Sequence, residues 1–185
     1  MDLWLETVRL VLRRFTAGDV EELVRLDSDL EVMRYLTGQP TPRDEIEQKV
    51  LPGILATYET HPGLGTFATH EKSSGAFIGW FGLQPTGDPG VVDVGYRLRR
   101  SAWGHGYATE GTRALIDKAF TELGIDRVVA DTMAVNTRSR RVLVKSGLRF
   151  VRVFHLHFDD PLPGTEHGEV EYAVDRATWE AGLLR

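Results

Sequence analysis

The sequence predicts a single α+β domain over residues 1–185, with a mixed, mostly antiparallel central sheet flanked by helices. Three observations carry this expectation. Three short β-like runs follow one another in the middle of the chain, separated by "KSSG" and "PTGDPG", both strong turn signals, so they form an antiparallel meander. A long amphipathic helix then leads to another strand, a β-α-β crossover that mixes the sheet. The composition, 42% hydrophobic and 26% charged with no internal repeat or low-complexity tract, suits one buried core and no domain boundary.

In chain order, "TVRLVLRRF" from Thr7 to Phe15 alternates, with Val8, Leu10 and Leu12 on one face, and reads as the opening strand. Behind Asp19 as N-cap, Val20, Leu23, Val24 and Leu26, then Leu30, Met33 and Leu36, recur at helical spacing, as one broken helix or two short ones. "TPRDEIEQKVLPGILATYE" starts another helix behind Pro42, which Pro52 and Gly53 are expected to kink or end. The meander is "GTFATHE", "AFIGWFGLQ" and "VVDVGYRL". The long helix runs from about Ala108 to Leu123, with Leu115, Ile116, Ala119 and Phe120 on its apolar stripe and Gly124 as its stop. "RVVADTMAV" is a buried strand, and Asn136 opens a second helix that closes at Gly147. Two strands, "LRFVRVFHLHF" and "GEVEYAV", flank the loop "DDPLPGTEH", and "RATWEAGLL" makes a short terminal helix.

Charge and cysteine content narrow the function classes. A formal net charge of −5 with interspersed signs argues against a nucleic-acid binder and mildly favours a cationic substrate such as an amine. With no cysteine there is no thiolate metal site and no cysteine nucleophile, and the chain is compatible with a reducing, cytoplasmic setting. The start "MDLWLETVRLVLRRF" lacks the pattern of a signal peptide, and no stretch is long and apolar enough to make membrane association an expectation.

The informative segment is "YRLRRSAWGHGYATEG", where a strand ends near Leu98 and a helix starts inside a glycine cluster. Helix-start N–H groups lack intrahelical partners, and Gly104 and Gly106 remove side chains where an anion would approach the backbone, so the segment can cradle a phosphate. Spacing separates the candidates. There is no Gly-Lys-Ser/Thr for a P-loop, and the G-x-G-x-x-G fingerprint fails at Thr109, the next glycine being Gly111. A tight strand-to-helix turn without a ligand is the plain structural alternative.

The segment Trp103-Gly104-His105-Gly106-Tyr107-Ala108 resembles the acyl-CoA loop of the Gcn5-related N-acetyltransferases, with Trp103 where Arg or Gln is usual. In that respect "WGHGYATEG" is similar to the ribosomal-protein N-acetyltransferase (RimJ/RimL-like) branch. The resemblance extends in order to "ETVRLVLRRF", "VVDVGYRL" and "NTRSRRVLVKSGLRF", nearly the whole chain. It implies the family's fold and acetyl-CoA as cosubstrate. The backbone from Gly104 through His105, Gly106, Tyr107 and Ala108 to Thr109 would then cap the pyrophosphate, with the Thr109 hydroxyl assisting. It also implies that the strand ending at Leu98 splays from its neighbour, so that free backbone groups pair with the pantetheine arm. Arg99 and Arg100 can offset phosphate charge or stand as solvated surface arginines.

The same resemblance sets Asn136 beside the pantetheine, compatible with an N-cap role, and Ser139 where a serine is proposed to protonate the leaving thiolate. A tyrosine common one turn later is Leu143 here, so Ser139 or water is the acid. Asp93 in "VVDVGYRL" matches a carboxylate, usually the longer Glu, that serves as base; an Asp bonded to backbone or to Arg97 is the structural alternative. His155, His157 and Asp159, and His167, Glu169 and Glu171, each fall on one strand face by a period of two and either line the acceptor side or form a solvated face. No metal is expected, although His-x-His can ligate zinc. Trp80 and Phe81 are core candidates, as are Trp4, Tyr35, Tyr58 and Phe67, which could instead wall the acceptor pocket. The resulting expectation is an acetyl-CoA-dependent N-acetyltransferase acting on a protein N-terminus or a small-molecule amine by direct attack. A homodimer is left open, and the alternative is a non-catalytic acyl-CoA-binding or regulatory module.

Overall fold

The structure, a computed structural model, describes residues 3–183. Eight strands form one sheet in the order β1-β2-β3-β4-β5-β6-β8-β7. These are β1 Leu3–Glu6, β2 Leu10–Arg14, β3 Gly65–Glu71, β4 Phe77–Pro85, β5 Val91–Leu98, β6 Arg127–Met133, β7 Arg149–Phe154 and β8 Glu169–Asp175. Every neighbouring pair is antiparallel except β5 with β6, which α5 (Tyr107–Thr121) connects as the crossover. The meander β3-β4-β5 therefore stands as the sequence predicts. Among the described residues, no helix is long and apolar enough to cross a membrane.

The two faces of the sheet carry different helices. On one, Leu115, Ile116 and Phe120 of α5 pack on Phe81, Leu83, Val92, Val94, Val128 and Ala130. On the other, Leu23 and Leu26 of α1 (Val20–Asp27) join Phe15, Ile46, Leu51, Ala68 and Phe77. Alternation along β5 follows from this split. Val92, Val94 and Leu98 are buried toward α5, whereas Arg97 meets Asp27 of α1 and so marks the opposite face, which Asp93 and Gly95 share.

Three expectations change. The opening strand is a hairpin: Thr7 N–H donates to the Leu10 carbonyl (2.9 Å) and Thr7 Oγ1 accepts from Leu10 N (2.9 Å), so Thr7–Arg9 is a turn and Val8 is 87% exposed. The region behind Pro42 stays helical from Arg43 to Thr60, as α3 (Arg43–Glu45), a π turn (Ile46–Val50) and α4 (Leu51–Thr60). Leu51 N donates five residues back to Ile46, and that wide turn accommodates the Pro52 ring just inside α4. Finally, β7 stops at Phe154 because its pairing partner there, Glu169, is the first residue of β8. His155, His157 and Asp159 thus lie in the loop and His167 in a 3-10 turn, so the two strand faces read from the sequence do not form as such. Among the described residues no group of three or more His, Asp or Glu is disposed to hold a metal ion.

Helices α2 (Leu30–Met33), α6 (Thr137–Lys145) and α7 (Arg176–Leu183) complete the chain. Gly111 explains the glycine that fits no nucleotide fingerprint: a Cβ there would lie 2.3 Å from Phe81 Cζ, so the residue sets how closely α5 approaches β4. Gly111→Ala is expected to lose about 1–3 kcal/mol of unfolding free energy by overpacking, despite alanine's better helix propensity. Urea denaturation checks this, and Phe81→Leu in the same chain should recover part of the loss.

Candidate active site

Strand β5 is paired with β4 along its length, Val92 to Leu98 facing Pro85 to Gly79. Its pairing with β6 covers only Val91, Val92 and Asp93 against Arg127, Val128 and Val129. From Val94 onward the two parallel strands diverge, which is the splay that the family resemblance implies. A wedge-shaped gap follows, with unpaired peptide groups on its β5 wall. Buried peptide groups demand partners, so such a gap suits an extended ligand that carries amides of its own. The Leu98 carbonyl is already engaged, accepting from Trp103 Nε1 at 2.8 Å. Trp103 thus closes the corner between β5 and the glycine loop, a structural use for an indole at the loop's unusual first position.

The glycine loop lies at the end of that gap. Gly104 and Gly106 have φ of +79° and +82°, a left-handed region that side chains disfavour, and a Cβ at Gly104 would meet nothing within 4 Å. The glycines are therefore required by backbone geometry and leave the α5 N-terminus open to an anion. Tyr107 turns its ring into the core and its hydroxyl to Glu71, so Tyr107 and Ala108 offer backbone rather than side chains to this opening. Among the described residues the Thr109 hydroxyl makes no hydrogen bond. His105 stacks on Tyr107 at 5.7 Å.

The loop is braced from the far end of the sheet by residues that the sequence reading passed over. Arg9, in the β1-β2 turn, donates from Nη1 to the His105 carbonyl (2.9 Å) and from Nε to Glu110 Oε2 (2.7 Å), and lies 4.6 Å from the Tyr107 ring centre. Glu110 Oε1 also accepts from Arg9 N (2.9 Å) and Thr7 Oγ1 (2.6 Å). Those bonds together hold the Glu110 carboxyl below its usual range against the opposing effect of partial burial. The sequence signal was an acid in the first turn of α5; its partner is about a hundred residues away.

Arg99 and Arg100 have acidic protein partners that their place before the loop did not suggest. Arg99 is paired with Glu22 of α1 and lies over the Phe77 ring, and Arg100 is 3.9 Å from Asp29. Together with the Arg97–Asp27 pair (2.6 Å) they fasten α1 and the following turn to the end of β5. Arg138, at the start of α6, is exposed beside the loop, 5.3 Å from the Trp103 ring centre.

Asn136 caps α6, its Oδ1 accepting from Ser139 N at 3.2 Å. Leu143 is buried in the core. Asp93 makes no hydrogen bond or ion pair among the described residues, and Arg97 is committed to Asp27, so the structural alternative for Asp93 does not form. Burial first, and then the nearby Asp131 charge, push the Asp93 carboxyl up to about 7. Asp131 lies two residues beyond Val129, the register partner of Asp93, and so on the same face across the opening gap. It stays open to solvent on one side while surrounding protein crowds it enough to raise its own carboxyl, ahead of a smaller push from Glu171. Glu169 is likewise raised, by burial and by Asp131, and Glu171 accepts from Arg152 Nε at 2.7 Å. Asp93 and these acids form one carboxylate-lined face opposite α5.

The acetyltransferase (GNAT) domain pattern matches residues 9–149. The chain belongs to the GNAT acetyltransferase family. It is 36% identical over 184 residues to the FsC-acetyl coenzyme A-N(2)-transacetylase of Aspergillus fumigatus, covering 95% of this chain and 77% of that protein. The fold is similar to that of the ribosomal alpha-N-protein acetyltransferase RimL in complex with coenzyme A, with a TM-score of 0.78, 19% identity, and coverage of 94% and 98%. It is also similar to spermidine N-acetyltransferase from Vibrio cholerae in complex with CoA and spermine, with a TM-score of 0.76, 15% identity, and coverage of 94% and 99%. The GNAT chain is an acetyl-CoA-dependent N-acetyltransferase.

The brace on the glycine loop has a measurable consequence. Arg9→Ala frees the His105 carbonyl and leaves Glu110 without its cation at the α5 N-terminus. Acetyl-CoA affinity is expected to fall about tenfold, some 1.4 kcal/mol, with kcat at saturating donor little changed; isothermal titration and steady-state kinetics separate the two.

Proposed function

We propose that this GNAT enzyme transfers the acetyl group to a primary amine by direct attack within a ternary complex, the acceptor being a small-molecule amine or a protein N-terminus. The single observation that carries this reading is the half-buried Asp93, unpaired and raised to about 7, on the face of β5 opposite the glycine loop's helix and at the point where the strands part. An ammonium must lose a proton before nitrogen can attack the thioester carbonyl, and a carboxylate with that pKa is matched to the task near neutral pH. The surrounding acids favour a cationic acceptor. The relatives' names, which specify an N(2) nitrogen, a protein alpha-N and spermidine, support a nitrogen acceptor in general.

In this reading the α5 N-terminus and the amides from Gly104 to Thr109 hold the donor's pyrophosphate, with Thr109 Oγ1 adding a hydroxyl. The open edge of β5 between Val94 and Leu98 takes the amide-bearing arm, and Asn136 stands beside it. The protein supplies the fit independently of any ligand: positive-φ glycines, an uncapped helix start and an unpaired strand edge converge on one gap. Asp93 removes the proton from the attacking nitrogen, directly or through water. As the carbon–sulfur bond breaks, Ser139 gives its hydroxyl proton to the departing sulfur and regains one from solvent. No covalent enzyme intermediate enters this scheme.

Incubating the chain with acetyl-CoA and a panel of polyamines, amino acids, aminoglycosides and N-terminal peptides tests the proposal. Because the protein has no cysteine, it adds no thiol of its own to the released-CoA signal. Tight acetyl-CoA binding with no turnover on any amine would instead favour a binding module. With an acceptor in hand, Asp93→Asn is expected to lower kcat at pH 7 about a hundredfold while sparing acetyl-CoA affinity.

The pH dependence has a definite sign. The base works deprotonated, so kcat/KM should rise with pH through about 7. Asp131→Asn removes a neighbouring negative charge and should move that midpoint to lower pH, raising relative activity at pH 6. Because folding raises the Asp93 pKa, the native state binds the proton more tightly than the unfolded chain. Stability linked to this group is therefore lost as pH rises from about 4 through about 7. Asp93→Asn should thus be more stable than the parent at pH 8, on the order of 1 kcal/mol or roughly 2–4 °C in Tm, and show little difference at pH 4; scanning calorimetry at both values checks it.

A further inference from the structure

Gly95 shares the Asp93 face of β5, two residues beyond Asp93 and within the half of the strand that has parted from β6. Glycine weakens a strand interior, and it is ordinarily retained there for a left-handed φ or for a close approach of other atoms. Within the protein, neither reason holds. Gly95 lies outside the left-handed region, and a Cβ built on it would come within 4 Å of one atom among the described residues, Trp80 Cζ3, at an ordinary 3.9 Å. Its cross-strand partner Gly82 differs. A Cβ there would stand 3.2 Å from the Gly65 carbonyl oxygen, in space already occupied by Gln84 and Thr66, which are joined by a 2.7 Å hydrogen bond from Gln84 Nε2 to Thr66 Oγ1. Packing thus accounts for Gly82 and leaves Gly95 as a bare, half-buried patch beside Asp93.

We propose that Gly95 is a specificity-determining residue for the acceptor, its bare peptide forming the floor on which the carbon carrying the reactive amine lies. This rests on the reading of Asp93 as base and deepens it by placing the acceptor. Direction separates acceptor from donor. An amide-bearing arm that pairs with β5 lies along the open edge, in the plane of the sheet, whereas the Cβ of a strand residue projects out of that plane. The space that glycine leaves empty is therefore off the sheet on the Asp93 side, about 7 Å along the strand from Asp93. Asp93 bounds it at one end and the rim of Trp80 at the other. The Trp80 ring is held by the core on the α1 side and by the Arg97 guanidinium 5.3 Å from its centre, a cation already neutralised by Asp27. An acid at one end and an aromatic rim at the other fit an ammonium on an aliphatic carbon, the carboxylate meeting the charge and the rim the methylene surface.

Gly95→Ala places one methyl group in this space and Gly95→Val an isopropyl group. With the whole chain, acetyl-CoA and the best acceptor from the amine panel, Gly95→Ala should raise the acceptor KM about tenfold or more, and Gly95→Val further still. Acetyl-CoA affinity, measured by isothermal titration, should stay within about twofold because the donor edge is untouched. The Tm of Gly95→Ala should hold or rise slightly, since the unfolded chain loses freedom and the strand gains a side chain. A glycine kept for folding would give the opposite change in Tm, and one kept for the donor would weaken acetyl-CoA. An acceptor KM in Gly95→Ala no higher than the parent's, a loss of acetyl-CoA affinity as large as the change in acceptor KM, or a fall in Tm would overturn the proposal while leaving acetyl transfer by the parent standing. A parent chain that turns over none of the amines would sink the acceptor reading itself, and the floor with it.

Discussion

Everything specific about this molecule depends on strand β5 holding one neighbour and releasing the other. Against β4 it keeps a complete ladder from Val92 to Leu98, while against β6 it keeps three residues and then parts. A sheet that opens in its middle leaves peptide groups without partners, a cost no core would bear unless those groups are met from outside. On the proposed reading, the opening converts a defect of pairing into a binding edge. It also assigns the two faces of one strand to different tasks. Val94 and Tyr96 look toward α5 and α6, and Asp93 looks toward the carboxylate face.

The opening stays in place because its ends are tied. Trp103 closes the β5 end onto the glycine loop, and the parallel pairing at Val91–Asp93 closes the other. Arg97 and Arg99 clamp α1 against the strand from the opposite side. Buried pairs such as Arg97–Asp27 add less to net stability than their short distance suggests, since two ions must shed water; their contribution here is to fix where a helix lies. Arg9 and Glu110 do the same for the glycine loop, linking it to the β1-β2 turn and fixing where its amides lie.

Electrostatically, the site separates opposite needs by distance along one strand. At the loop end, a helix N-terminus, Arg9 and the exposed Arg138 concentrate positive character. At the parting point, Asp93, Asp131, Glu169 and Glu171 concentrate negative character, and among the described residues only Glu171 is matched by a cation, Arg152. Like charges crowded on a partly desolvated face keep their protons to higher pH, which destabilises the ionised native state and, on the proposed reading, suits Asp93 to act as base in neutral conditions. Such a concession of stability is expected at a working site rather than in a scaffold.

By itself the sequence determined the local elements and the donor class. The meander, the crossover helix, the Asn136 cap and the glycine loop are written in contiguous residues, because turns, caps and positive-φ positions are short-range requirements. Where local signals misled, either a competing local turn or a distant partner was the reason. The hairpin hides in "TVRLV" because Thr7 closes its own turn, and β7 ends where β8 has no residue left to pair. Arg99 looked available to a phosphate until α1 supplied Glu22. Only the tertiary structure decided which groups meet: Arg9 with Glu110, Arg99 with Glu22, Asp93 with Asp131. Those contacts depend on strand order and on the register of a parallel pair joined through a helix, and neither is encoded in the spacing of any one segment.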